Sequence, residues 1–384
     1  MLVTYVAPNR AHHYIYARLL AQGGQLQRFV SGFSRFSPRA PMPDLGDKLL
    51  RADHVQNFYL ASLRLRWPSV MKEELTYQSK KWLDLWARKD ALRSDAFLFY
   101  SGSGLQTLKA LKSTRAIGVV EAVNSHVLVQ ERILREEHDR LDLPLKGFHR
   151  REVDRRVREY ELADGIICPS QFSRQSFIEQ GMDPARVRTV PFGVDVVPFR
   201  EKAPRSDGSF RVLFVGQINV RKGLRYLFEA FKKFQHPKKE LWIVGPRTDQ
   251  TGIADVSPPE ETRFLGTLKG DDLSRAYRSC DVFVLPTIEE GLALVIGEAL
   301  SHGLPVIATE NSGASDLFTD GSTGYIVPIR SPEAITAKLQ FLADNRDMLR
   351  VLSERTLDHG LRTWEATGHK LIETLREILE MPKR

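Results

Sequence analysis

The run Cys280-Asp-Val-Phe-Val-Leu-Pro-Thr-Ile-Glu-Glu-Gly-Leu-Ala-Leu-Val-Ile-Gly-Glu-Ala-Leu-Ser-His-Gly-Leu-Pro-Val-Ile-Ala308 decides how this chain folds. Asp281–Pro286 reads as a buried parallel strand closed by proline. Thr287–Gly291 is a turn, and Leu292–His302 reads as a helix stopped by Gly303 and Pro305. The stretch from Pro305 to Ala308 is the next strand. In such a strand–helix–strand unit, the unpaired N–H groups and positive dipole end of the helix start face the carboxyl edge of the sheet. Phosphate is attracted there.

The same alternation runs outward in both directions and predicts an α/β protein. Strands are expected at Leu2–Ala7, Ala96–Tyr100, Ala116–Val120, Gly165–Cys168 and Val187–Val190. A second set is expected at Phe210–Phe214, Glu240–Val244, Thr262–Leu265, Val282–Leu285, Pro305–Ala308 and Gly324–Val327. Between the sets, Val196–Gly208 is polar, Pro-containing and aperiodic, and it reads as a linker. The expected division is 1–198, 199–360 and a C-terminal helix, 361–384, folded back on the first domain. Glu354–Met381 is helical in pattern.

With 384 residues, 42% of them hydrophobic, the chain is long enough for two cores. No apolar run approaches the roughly 18 residues that span a bilayer. Met1–Pro8 lacks the basic and apolar regions of a secretory signal, which predicts a cytoplasmic protein. Cys168 and Cys280 lie in apolar runs, as buried thiols would. The net charge of +8 is uneven: residues 1–200 hold 31 Lys+Arg against 22 Asp+Glu, and 201–384 hold 25 against 26. An anionic partner for the first half, a membrane or a lipid phosphate, is one reading, and plain solubility charge is the other. Residues 57–94 mix Trp67, Trp82 and Trp86 with Arg64, Lys72, Lys80, Lys81, Arg88 and Lys89. This composition suits an interfacial helix on an anionic membrane, or else two ordinary core helices. No nucleic-acid-binding motif is present, so the excess charge does not point to nucleic acid.

Three segments carry the chemistry. Glu290 and Glu298 lie eight residues apart, roughly 11 Å along two helical turns, with the diol-binding geometry that carboxylates offer. Taken alone, Glu290 could close a capping box with Thr287, and Glu298 could be a solvated helix residue. Phe210–Gly216 is a strand ending in glycine, followed by Gln217, and Arg221 and Lys222 stand just ahead of the helix Leu224–Phe234. Two cations there would stabilise a leaving diphosphate. Thr309–Asp316 adds a polar, glycine-bearing loop at the same edge. No Asp-x-Asp motif and no clustered His/Cys/Asp set occurs, so no metal is expected.

These motifs resemble the retaining GT-B glycosyltransferases of group 1, family 4. The resemblance rests on the Glu290–Glu298 pair, Lys222-Gly223, Gly303-Leu-Pro-Val306 and Gly324-Tyr-Ile-Val-Pro328. In the first half it rests on Pro169-Ser-Gln-Phe-Ser173 and Pro191-Phe-Gly-Val-Asp195. It covers nearly the whole chain, with residues 40–95 unmatched. It implies two Rossmann-like domains facing across a cleft, and transfer of a sugar from a nucleotide diphosphate with retention. UDP-sugars are the first expectation, and the acceptor is a glycan or lipid-linked. By resemblance Glu298 holds the ribose, Lys222 the diphosphate, and Glu290 with the amides of Gly291, Leu292 and Ala293 the donor sugar and phosphate. His126 would touch the donor sugar, and Leu265 and Gly266 would line the base. The family's arginine after the strand glycine Gly216 is replaced by Gln217, with Arg221 a candidate substitute. The loop Ala7–His13 lacks the family's glycines. The nucleotide sugar is a substrate, so no cofactor is implied. A sugar-nucleotide epimerase of the same fold and a non-catalytic nucleotide-sugar binder are the alternatives.

Overall fold

The structure is a computed structural model that describes every residue except 66, 146, 197–206, 248–255, 359 and 384. In the first half the chain forms β1 (Val3–Ala7), α1 (His13–Gln22), β2 (Leu26–Ser31) and β3 (Leu49–Arg51). It continues through α2 (His54–Arg64), α3 (Ser69–Ala91), β4 (Ala96–Tyr100), α4 (Leu105–Leu111) and β5 (Ile117–Glu121). Then come α5 (Val127–Arg140), α6 (Arg150–Leu162), β6 (Gly165–Cys168), α7 (Gln171–Glu179) and β7 (Val187–Thr189). These seven strands pair in parallel in the order β3-β2-β1-β4-β5-β6-β7.

The second half begins with β8 (Phe210–Val215), α8 (Leu224–Lys233), β9 (Lys239–Val244), β10 (Thr262–Gly266) and α9 (Gly270–Arg278). β11 (Val282–Leu285), α10 (Leu294–Ser301), β12 (Val306–Thr309) and β13 (Gly324–Val327) follow. Three helices close the chain: α11 (Pro332–Asp344), α12 (Arg346–Asp358) and α13 (Trp364–Glu380). Six strands form the second parallel sheet, β10-β9-β8-β11-β12-β13. Two Rossmann-like units result, each a parallel sheet with helices on its faces.

The strand positions follow from buried apolar runs. Val282–Leu285 and Val306–Ala308 are fully buried and pair in register, Phe283 with Val306 and Leu285 with Ala308. Two strands, β2 and β3, arise where the sequence reading placed none. Of the expected linker Val196–Gly208, residues 197–206 lie outside the described residues, as does the division at 198/199.

The two units are tied at their crossing points. Val194 bridges Thr363, with its amide donating to the Arg362 carbonyl at 2.9 Å. The helical pattern of Glu354–Met381 is split there: α12 ends at Asp358, and Thr363 caps α13 by accepting from the Ala366 amide. From that point α13 lies on the first unit. Leu371, Leu375 and Ile378 join the core of Val3, Tyr5, Leu20 and Leu98. Near the C-terminus, the Lys383 ammonium reaches the carbonyls of Leu111, Thr114 and Ala116 at 2.6–2.8 Å.

Candidate active site

β8 and β11 are neighbours, but the chain leaves β8 toward β9 and β10, and leaves β11 toward β12 and β13. At such a switch point the following loops part and open a crevice. Here the loops are Gly216–Gly223 and Pro286–Ala293. Gly223 has φ +65°, and a Cβ on it would lie 2.0 Å from the Pro286 carbonyl oxygen, so only glycine allows this approach. The Arg221 carbonyl accepts from the Ile288 amide (2.8 Å) and the Thr287 hydroxyl (3.0 Å), which joins the two loops. Thr287 is thereby used on Arg221 rather than in a capping box with Glu290. Asn219 accepts from the Lys222 amide and fixes a single helical turn.

Lys222 is thus delivered to Glu290. Its ammonium donates to the Glu290 carboxylate, and both groups are half-buried. Burial pushes the Glu290 carboxyl up, but Arg221 and Lys222 outweigh it and hold the group below the usual carboxylate range. The pair is a compact, ionised site of about zero net charge.

Arg221 is engaged elsewhere. Its guanidinium lies 2.9 Å from the Glu289 carboxylate and donates to the Glu289 carbonyl (2.7 Å) and to Asn124 Oδ1 (2.8 Å). Glu289 is fully buried and accepts from the Ser125 hydroxyl (2.7 Å), the Ser125 amide (3.2 Å) and the Gln130 amide group (2.9 Å). Asn124, Ser125 and Gln130 belong to the first unit, so this network clamps the two units together beside the crevice. Gly291 completes the clamp, since a Cβ there would lie 1.9 Å from the Val123 carbonyl oxygen.

Other sequence-predicted residues are distributed around this centre. The helix after Glu290 starts at Leu294, two residues later than expected. Leu292 is instead drawn into the first unit's apolar cluster, and the Ala293 amide donates to the Ser312 carbonyl at 3.1 Å. That amide is therefore not free for phosphate, a correction to the sequence reading. The eight residues from Glu290 to Glu298 are helical only from Leu294, so the helical estimate of their separation does not apply. Glu298 points to α9, where the Tyr277 hydroxyl donates to it at 2.9 Å. Burial raises its carboxyl; the Tyr277 bond opposes this and nearby Asp195 adds to it.

Gly216 ends β8 with its amide on the Val244 carbonyl, and Gln217 is exposed beside it. Leu265 and Gly266 close β10, and Gly266 accepts from the Gly245 amide. His126 caps α5, with Nδ1 accepting from the Leu128 amide at 3.3 Å and its ring between Tyr160 (4.9 Å) and Phe177 (5.1 Å). Burial lowers it to about 4, so it is neutral at pH 7. Its neighbour Ser125, not His126 itself, makes the bond to the Glu289 loop.

The model of the family described as Glycosyl transferases group 1 matches residues 197–359, and that of Glycosyltransferase Family 4 matches 46–197. Together the two models span residues 46–359, and over that span the chain belongs to the family of group 1 glycosyltransferases. Among curated relatives, this chain is 29% identical to the sulfoquinovosyl transferase SQD2 of Arabidopsis thaliana, over 55% of this chain and 44% of that protein. It is 26% identical to a D-inositol 3-phosphate glycosyltransferase of Corynebacterium urealyticum, over 62% of this chain and 63% of that protein. The match thus spans less than two thirds of either relative. Among solved structures, sucrose-phosphate synthase from Thermosynechococcus elongatus superposes with a TM-score of 0.71 at 17% identity, covering 98% of this chain and 99% of that one. Anabaena HepE in complex with UDP-glucose gives 0.67 at 15% identity, with 98% and 99% covered. At these identities the likeness establishes the GT-B fold.

The sequence reading of this chain missed two groups. Glu289 was passed over for Glu290, because its partners lie about 160 residues away and no local pattern marks them. The second group contradicts the expectation that no ligand-like cluster exists. His12, His13 and Glu121 bring their ligand atoms within 4.8 Å of one another. His12 Nε2 is 2.6 Å and His13 Nδ1 3.1 Å from the Glu121 carboxylate, to which the Tyr5 hydroxyl donates at 2.7 Å. All four side chains are buried, at the carboxyl edge of the first sheet. Folding alone joins them: His12 and His13 start α1 and Glu121 ends β5. The set can hold an ion, but the carboxylate already has three hydrogen-bonding partners.

Proposed function

We propose that this chain moves a sugar from a nucleotide-diphosphate donor, a UDP-sugar first, to a glycan or lipid-linked acceptor with retention of anomeric configuration. The observation that carries this reading is the Lys222–Glu290 pair at the switch point of the second sheet, walled by the first unit through Glu289. A donor diphosphate competes with Glu290 for the Lys222 ammonium. In this reading Lys222 turns to the phosphates and Glu290 is released toward the sugar. The amides of Gly291 and Leu292 supplement that charge. Glu298, about one turn into the next helix with Tyr277 orienting it, takes the ribose diol. Gly216 and Gln217 flank the phosphates, Leu265 and Gly266 the base, and His126 stands in the first unit on the sugar's side.

Charge develops on the phosphate oxygen as the glycosidic bond breaks, and a preorganised cation stabilises it most in the transition state. The acceptor oxygen attacks from the face that the diphosphate leaves, and its proton passes to the departing phosphate oxygen. Lys222 and backbone dipoles supply the neutralising charge, so the reaction needs no metal.

HepE, a fold neighbour, binds UDP and UDP-glucose, which supports testing UDP-sugars first. The test is a thermal-shift panel of UDP-, GDP- and ADP-sugars, followed by nucleotide release with candidate acceptors, with and without EDTA. One nucleotide class raises the melting temperature by mass action, and acceptor-dependent release is unchanged by EDTA. Stabilisation without release to any acceptor would favour a binding protein, and appearance of an epimer from donor alone would favour an epimerase. Loss of activity in EDTA would direct attention to His12, His13 and Glu121.

A further inference from the structure

Buried side chains of the first unit converge where the start of α1 meets the end of β5. His12 Nε2 lies 2.6 Å from Glu121 Oε1 and His13 Nδ1 3.1 Å from Glu121 Oε2. Neighbouring ligands of an ion bound at about 2.1 Å stand roughly 3 Å apart, so these spacings already suit one. A fourth group points the same way. Tyr16 follows His12 by one turn of α1, its ring is 5.2 Å from the His12 ring, and it is 1% exposed. Its hydroxyl has no hydrogen-bond partner among the described residues. Burial pushes the pKa of that hydroxyl up, and the Glu121 charge, which reaches it, adds to the rise while Arg362 opposes it. A buried hydroxyl without a partner is costly, and a cation or a water bound beside Glu121 would satisfy it.

The chemistry of the donors decides between the two. Among the described residues no Lys or Arg pairs with Glu121; its partners are two imidazoles and the Tyr5 hydroxyl. A buried carboxylate without a fixed cation gains most from binding one. Two imidazole nitrogens with a carboxylate and a phenol oxygen suit a divalent first-row ion, zinc first. The surroundings fit as well. The Tyr5 hydroxyl donates to Glu121 at 2.7 Å and orients the carboxylate, and the Phe192 ring covers His12 at 4.1 Å.

We propose that His12, His13, Glu121 and Tyr16 bind one divalent transition-metal ion, Zn²⁺ the best fit, which pins the start of α1 to the end of β5. The two imidazoles exchange their bonds to Glu121 for bonds to the ion, and the Tyr5 bond is kept. All four ligands are buried, so the ion is held away from substrate and stiffens the edge of the first sheet without entering the transfer. The site is independent of the transferase reading.

The test strips the full chain with a chelator and reloads it with Zn²⁺ or Co²⁺. The native chain retains one ion through gel filtration, melts higher than the stripped chain, and gives the visible Co²⁺ absorption of a four-coordinate site. Tyr5→Phe keeps every ligand and loses only the hydroxyl that orients Glu121, so it binds Zn²⁺ roughly 10- to 100-fold more weakly. Tyr16→Phe separates an ion from a plain hydrogen-bonded network. When stripped it melts no lower than the native chain, because an unpartnered hydroxyl has been removed, yet it binds Zn²⁺ at least as poorly as Tyr5→Phe. Failure of the native chain to retain an ion would overturn the proposal. So would retention undiminished in Tyr16→Phe or in Glu121→Gln, which would place the ion elsewhere on the chain.

Discussion

At the scale of single residues, two adjacent glutamates divide the labour. Glu290 is half-buried and ion-paired with Lys222, so its partner is exchangeable for a ligand. Glu289 is fully buried among Arg221, Ser125 and Gln130, so its bonds hold the units together. Breaking a buried ion pair by removing one partner costs about 3 to 5 kcal/mol, because the other charge is left uncompensated. Glu289→Ala is therefore expected to lower unfolding free energy by about that amount in a denaturant titration. Glu289→Gln, which keeps acceptor oxygen and shape, should lose clearly less. Equal losses would mean that packing, not charge, governs the position. Only Glu290 was legible from sequence, through its spacing to Glu298. The neighbour's role depends on contacts between units that no local pattern encodes.

At the scale of elements, most strands could be read because they are continuous apolar runs between flanking turns. β2 escaped notice because Gln27 and Arg28 interrupt Leu26 and Phe29, and β3 because it is a three-residue edge strand with no fully buried residue. The start of α10 was misplaced for a tertiary reason, since Leu292 packs into the other unit's core before the helix begins. α5 carries a test of its own. Its cap, His126, is held neutral by burial, with its proton affinity lowered to about 4 from the ordinary 6.5. The unfolded chain binds that proton first, so stability is complete above pH 6.5 and falls as pH drops toward 4. His12 acts in the same direction; burial first and His13 second lower it to about 4, against the pull of Glu121. His126→Asn retains a good capping residue and removes the titration. Its melting temperature should fall less steeply than the native one between pH 6.5 and 4, and an unchanged slope would remove His126 from this account.

At the scale of the whole molecule, two Rossmann-like units are joined by paired crossings at Val194 and Thr363, by α13 and by the Glu289 clamp. The crevice lies where the sheet of the second unit reverses its strand order, opposite the wall built from Asn124 and Ser125. The duplicated alternation of strands and helices made this architecture legible. The clamp and the Tyr5–His13–Glu121 network were not, because each joins segments far apart in sequence. The central claim is that Lys222 holds a nucleotide diphosphate in this crevice. Calorimetric titration of UDP into the native chain and into Lys222→Ala tests it most directly. A charge-assisted bond contributes about 1.5 to 3 kcal/mol, so the variant should bind roughly 10- to 150-fold more weakly with its fold intact. Equal affinity in the two proteins would contradict the account.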